Sequence, residues 1–228
     1  MNNVSWERRR EASTARPCQP ATSPHAEPES RFRRLLGDED WQRLPPAVQR
    51  RFARRLEPGD TAAFLGEVAT TRLTVFGRLT AQLARLVGAP LPLRSLQRTP
   101  AAVLVTENDP ATGSQLWTRI YHEPGGLPQV ICSIKQFAGP TGLEECVGHG
   151  IGMALTLHVE ARAIVIRSAG YFWRVGGRRL RIPDWMTPGR MTVIHREERA
   201  GQFSFTLTVT HALFGVTIQQ IAFFRDVR

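Results

Sequence analysis

Three groups of residues in this 228-residue chain have the types and spacing that chemistry can use. The first is the stretch 116–121, where two-residue alternation puts Trp117, Arg119 and Tyr121 on one face and Leu116, Thr118 and Ile120 on the other. If the aromatic face looks into a barrel, Arg119 is a buried cation that needs a partner. A carboxylate or phosphate head group pairs with guanidinium bidentately, which is what a carrier of an amphipathic acid requires. If the aliphatic face looks in, Arg119 is a solvated side chain between two surface aromatics. The second group is Glu144, Glu145, His149 and His211, residue types that serve general acid–base catalysis. Adjacent glutamates on a strand face opposite sides, so at most one looks inward, and an arginine is its commoner partner. An enzyme would bring Glu145 and His211 together with Arg119 in one pocket; the balance of the residues favours a protein without catalysis. The third group runs from Tyr171-Phe172-Trp173-Arg174 through Gly176-Gly177-Arg178-Arg179-Leu180-Arg181 to Ile182-Pro183-Asp184-Trp185-Met186. Aromatics interleaved with arginines stack bases or sit at a lipid interface. The plainer reading is a hairpin turning on two glycines, followed by a loop anchored by Trp185. The candidate ligand-binding residues are therefore Trp117, Arg119, Tyr121, Glu145, Trp173 and Trp185, and the candidate catalytic ones Glu145 and His211.

Other chemistries are disfavoured. His122, His158 and His195 complete no H-x-H or H-x-x-x-H spacing, so no metal site is expected. Gly148-x-Gly150-x-Gly152 runs into a strand pattern, whereas a dinucleotide loop must open a helix. No G-x-S-x-G elbow occurs, and Ser133, Ser168 and Ser204 lie within strands. No cofactor is expected. Thirty basic against 20 acidic residues leave a net charge of +10, and Lys135 is the only lysine. An acidic partner is worth considering, but no nucleic-acid motif accompanies the charge, so nucleic acid is not expected and an anionic membrane surface stays open. Cys18, Cys132 and Cys146 form no C-x-x-C pair, and buried free thiols in a reducing compartment, with Cys18 exposed in a tail, are the expectation. The first residues lack an apolar signal core, and no apolar run approaches the ~18 residues of a membrane span. A cytoplasmic protein without a transmembrane segment is expected.

The elements that must position these residues are legible from periodicity. Residues 1–30 hold Pro17, Pro20, Pro24 and Pro28 and almost no aliphatic side chains, the composition of a disordered tail; one domain then spans 31–228. Phe32, Leu35 and Leu36 begin a helical pattern, with Asp38-Glu39-Asp40 as a cap and acidic first turn. Pro45-Pro46 forces a restart, and Val48, Phe52 and Leu56 extend a second short helix towards Pro58-Gly59. Residues 64–75 read as a strand. Leu79, Leu83, Leu86 and Val87 then recur at helical spacing, bounded by Gly88 and Pro90, as an apolar stripe expected to pack on a sheet. Beyond Pro100 the period switches to two, most cleanly at 151–159 and 203–209. Further strands are expected at 102–106, 115–122, 129–137, 142–147, 162–169, 171–175, 191–198 and 217–225, with glycine turns between them. The expected fold is mainly β (α+β): a curved antiparallel meander or barrel of about nine or ten strands with short N-terminal helices, closure being the way such a meander removes its edges.

Several landmarks combine into one pattern. Leu143-Glu144-Glu145-Cys146-Val147-Gly148 runs into Gly150-Ile151-Gly152-Met153; Ile182-Pro183-x-Trp185 and His211-Ala212-Leu213-Phe214-Gly215 follow. With Trp117-x-Arg119 and the Leu44-Pro45 entry, the chain resembles, over residues 32–226, the uncharacterised bacterial family catalogued as domain of unknown function 4166. Ala212 stands where that pattern has a proline, so this turn is built differently. Members occur alone or joined to oxidoreductase-like or membrane modules, which implies an accessory or ligand-handling role and a protein partner of oxidoreductase type. The resemblance supplies no catalytic residues. The functional expectation rests on architecture, since a barrel of this size holds one small amphipathic or lipid-like ligand. One alternative is an accessory module docking on an oxidoreductase partner or anionic membrane through arginine-rich stretches 50–55 and 72–85. The other is an enzyme with a Glu/His acid–base pair.

Overall fold

The computed structural model describes residues 31–57, 59–86, 88, 91–92, 95–109, 111–122 and 125–227. The expected tail 1–30 with Cys18, and Pro58, Val87 and Pro90, lie outside the described residues. Three short helices come first: α1 (Arg31–Leu36), α2 (Asp38–Gln42) and α3 (Pro46–Phe52). They are one more than periodicity predicts, because Gly37, at φ 80° and ψ 161°, interrupts the first. That conformation favours glycine, so Gly37 is the N-cap of α2 in place of Asp38. Asp38, Glu39 and Asp40 sit in the first turn, where the helix dipole favours acids. Pro45 and Pro46 open α3 as expected.

Eleven strands follow: β1 (Thr61–Leu73), β2 (Gln97–Asp109), β3 (Ser114–Tyr121), β4 (Gln129–Gln136), β5 (Glu144–Cys146), β6 (Ile151–Glu160), β7 (Ala163–Val175), β8 (Arg178–Ile182), β9 (Arg190–Arg199), β10 (Gln202–His211) and β11 (Gly215–Asp226). β1 to β7 pair in sequence order, β7 pairs β9, and β9, β10 and β11 return to β1. The result is a closed, ten-stranded antiparallel barrel with β8 as one extra strand. β7 serves two neighbours on one edge: Ile164–Arg167 bonds β9, and Tyr171–Val175 continues past it to bond β8. The two strands expected on either side of residue 170 are thus one. Gly170 (φ 137°) carries the chain through, opposite a register shift between Ala154 and Leu155.

Chain direction assigns each element to an end of the barrel. β1 leaves the α3 side and delivers the chain to α4 (Val75–Leu86), so α1–α3 and α4 sit at opposite ends. At the α3 end, Arg51 pairs with Glu197 (3.2 Å) and Asp226 (3.1 Å), clamping the helix to β9 and β11. Phe32 meets Phe52 and Phe137 edge-on at 5.1 and 5.0 Å and seals the plug. At the other end α4 departs from expectation. Its apolar stripe does not pack on the sheet; Gly77 and Ala81 do, and both are buried. A Cβ at Gly77 would lie 2.2 Å from the Thr217 carbonyl oxygen, so only glycine allows this approach. Leu79, Leu83 and Leu86 consequently stay 56%, 55% and 75% exposed.

Candidate functional site

Between the α1–α3 plug and α4 the barrel encloses a cavity of about 750 Å³. β3 turns its aromatic face inward, so Trp117, Arg119 and Tyr121 line the cavity. The neighbouring strand follows the same alternation. Ile131, Ser133 and Lys135 of β4 are buried while Val130 and Cys132 are exposed. Cys132 is therefore a surface thiol, contrary to the expected burial, because it shares the outward face of β4; Cys146 is partly buried. Next in the ring, β5 places Glu145 opposite Lys135 and Glu144 opposite Gln136. The adjacent glutamates do point to opposite sides. Glu145 enters the cavity, while Glu144, also fully buried, is covered from outside by ion pairs with Arg174 and Arg179.

Inside, Arg119 Nη2 donates to Glu145 Oε1 at 3.1 Å and Ser133 Oγ donates to the same oxygen at 2.6 Å. Arg119 Nη1 donates to Ser133 Oγ at 3.1 Å. Lys135 Nζ stands 3.1 Å from Glu145 Oε2 and 4.4 Å from the centre of the Trp117 ring, a cation–π contact. Burial alone would raise the Glu145 carboxyl, but Lys135, Arg119 and the Ser133 hydrogen bond hold it down at about 2. Burial lowers the Lys135 ammonium, Arg119 acts in the same direction, and Glu145 opposes both. Tyr121, pushed up by burial, donates to Gln220 Oε1 at 3.3 Å. Gln220 in turn donates to Thr71 Oγ1 at 2.9 Å, closing a buried chain. Among the described lining residues Arg119, Lys135 and Glu145 are the charged ones, two cations against one carboxylate. The remaining wall is mainly apolar, with Val103, Met153, Ile166, Val193, Leu207 and Phe224 in it, and Thr80, Thr187 and Gln220 add uncharged polar groups.

The six predicted ligand-binding residues, Trp117, Arg119, Tyr121, Glu145, Trp173 and Trp185, all line this one cavity, the last two at its opening. The predicted catalytic pair does not come together. His211 is buried at the α4 end, where its Nδ1 accepts from the Leu213 amide at 3.2 Å and its ring packs on Phe76 and Phe214. It is absent from the cavity lining. His149 lies in the turn before β6, where its carbonyl accepts from Trp173 Nε1 at 2.9 Å. Lys135 and Ser133 were not predicted as site residues. Alternation puts both on the Ile131 face of β4, but the opposite face, Val130, Cys132 and Ile134, is the more apolar, so no signal in the sequence showed that Lys135 and Ser133 face the interior.

A second cavity of about 270 Å³ lies under α3 and is bordered by Arg51, His195, Phe203 and Phe205. His195 is fully buried; desolvation, and then Arg51, lower it to about 3. Arg51 Nη1 lies 3.2 Å from its Nε2, while Nδ1 is buried without a hydrogen-bond partner. Among the described residues no group of His, Cys, Asp or Glu is placed to hold a metal ion, and no helix is long and apolar enough to cross a membrane.

Fold and interior together define an antiparallel barrel domain with a charged triad set in a mainly apolar cavity. The family model described as domain of unknown function (DUF4166) matches residues 44–224, and the chain belongs to that family. No curated protein matches the chain, and no solved structure does.

Proposed function

We propose that the barrel binds one small amphipathic molecule, with an anionic head group at Arg119 and Lys135 and its apolar part along the aliphatic and aromatic wall. The observation that carries this reading is the excess positive charge of the Arg119–Glu145–Lys135 cluster inside an apolar cavity. A buried cation without a counter-charge costs several kcal/mol, and a carboxylate or phosphate on the ligand would neutralise it. The cavity volume falls within the ~300–1,000 Å³ typical of small-molecule sites, and a few polar groups on an apolar wall are their usual composition. His211, apart from Glu145, gives an acid–base mechanism no support.

Native mass spectrometry of the gently purified protein, followed by organic extraction, tests for a resident ligand. Titration of the delipidated protein then compares oleate with oleyl alcohol, which shares the chain and lacks the charge. Oleate is expected to bind at least tenfold more tightly, and Lys135→Met to weaken oleate while leaving the alcohol unchanged. Equal affinity for both, or an empty protein that binds neither these nor shorter fatty acids and isoprenoid phosphates, would overturn the reading.

A further inference from the structure

Exposed large hydrophobic side chains are not scattered over this molecule. Of the sixteen among the described residues, fourteen sit at the α4 end, among them Val130 at the start of β4, leaving Leu65 and Val227 elsewhere. α4 contributes Val75, Leu79, Leu83 and Leu86, and the β3–β4 connection Leu127. The β7–β8 extension contributes Trp173, Val175 and Leu180, and the 3₁₀ turn after it (Asp184–Met186) adds Trp185, 78% exposed, and Met186. Across the rim the β10–β11 turn presents Leu213 (83%), Phe214 and Val216. The segments touch: Phe76 stacks on Phe214 at 4.2 Å, and a Cβ on Gly88, just past α4, would lie 3.1 Å from Gly148, beside the carbonyl that holds Trp173.

The same rim is basic. Residues 74–86, 171–191 and 211–216 hold seven arginines and one acid, Asp184. Arg174 and Arg179 pair with Glu144 and Arg181 lies 3.7 Å from Asp184, while Arg78, Arg85, Arg178 and Arg190 are exposed. Tryptophans and leucines beside arginines, on protruding segments around an opening, match the interface of an anionic bilayer, where rings lie at head-group depth and guanidinium groups meet phosphates. The cavity opens within this ring, since Leu79, Leu83, Trp173, Trp185 and Met186 are both exposed and part of its wall.

We infer that the α4 end docks on an anionic phospholipid surface, with the rim hydrophobics entering the interface and Arg78, Arg85, Arg178 and Arg190 facing lipid phosphates, so that the cavity opens onto the membrane. Docking stands on the rim alone; exchange of an amphipathic ligand between bilayer and barrel rests in addition on the function proposed above.

Co-sedimentation of the full chain with vesicles of phosphatidylcholine and phosphatidylglycerol in equal parts, against phosphatidylcholine alone, tests the docking. At least tenfold stronger binding to the anionic vesicles is expected, weakening as salt rises from about 0.05 to about 0.5 M. Leu86→Glu with Leu213→Glu, two exposed rim positions outside the cavity lining, is expected to cut that binding at least tenfold without lowering the melting temperature or oleate affinity. Equal binding to both vesicles, binding to neither, or an unaffected double variant would overturn docking. So would a concentration-dependent dimer in light scattering that the double variant dissolves in the absence of vesicle binding, which would assign the rim to a second copy of the chain. Loss of docking with oleate affinity intact leaves the binding function standing, so the two readings fail separately.

Discussion

Glu145→Gln removes the one carboxylate that faces two cations and keeps nearly the same shape. Glu145 and Lys135 side chains are 5% and 6% exposed, so solvent does little to replace the lost charge. Stripping one partner from a buried pair costs ~3–5 kcal/mol. Lys135 has an escape, because its ammonium can release a proton. From the ordinary value of 10.5 that route costs about 4.8 kcal/mol at pH 7 and about 2 kcal/mol at pH 9, at ~1.36 kcal/mol per unit. The variant is therefore expected to be about 3–5 kcal/mol less stable than its parent at pH 7, with the deficit shrinking towards about 2 by pH 9. The sign follows from proton counting: lowering the folded-state ammonium further below its unfolded value makes the unfolded chain bind more protons, so stability rises with pH. Urea unfolding of both proteins at several pH values reads the difference directly. A deficit under about 1 kcal/mol at pH 7, or one that is the same at pH 7 and 9, would refute the idea that Glu145 is the charge holding Arg119 and Lys135 in the barrel.

Three further outcomes follow from the described geometry. His195, held neutral at about 3 against an ordinary 6.5, contributes stability that is present above pH 6.5 and lost as pH falls from there towards 3; urea unfolding should register a loss of about 2 kcal/mol between pH 8 and 5, and His195→Phe should abolish that slope. Gly66→Ala would put a Cβ 1.8 Å from the Phe223 carbonyl oxygen in the β1–β11 pairing, so a cost of at least ~1–3 kcal/mol is expected in thermal unfolding, whereas alanine at the open Gly201 costs mainly its left-handed φ of 75°. A maleimide at pH 7 should modify exposed Cys132 in the folded protein and leave Cys146 untouched, since burial raises that thiol and slows its reaction; mass mapping of the peptides decides.

Local pattern determined a great deal about this protein. Alternation at 151–159 and 203–209, and glycines spaced as turns, announced the antiparallel meander, because a pleated strand must present alternate residues to opposite sides. The same rule separated Glu144 from Glu145 and grouped Trp117, Arg119 and Tyr121 on one face. It could not say which face is inside. In β3 both faces carry large apolar side chains, Trp117 and Tyr121 against Leu116 and Ile120, so transfer free energy barely distinguishes them. Closure of the ring decided it, since only the curvature set by all ten strands defines an interior. Closure also turned Lys135, a lone residue in the composition, into the partner of Glu145, 10 residues away in sequence and adjacent across β4–β5. The fate of α4 was tertiary for a related reason. Its leucine stripe has the period of a packed helix, but β11 approaches so closely at Gly77 that the small-residue face wins the contact, and the leucines are left around the opening of the cavity. His211 and Glu145 share residue types with acid–base pairs, yet they belong to strands that meet only through the barrel. Their separation was therefore a matter of topology, which residue type and spacing do not encode.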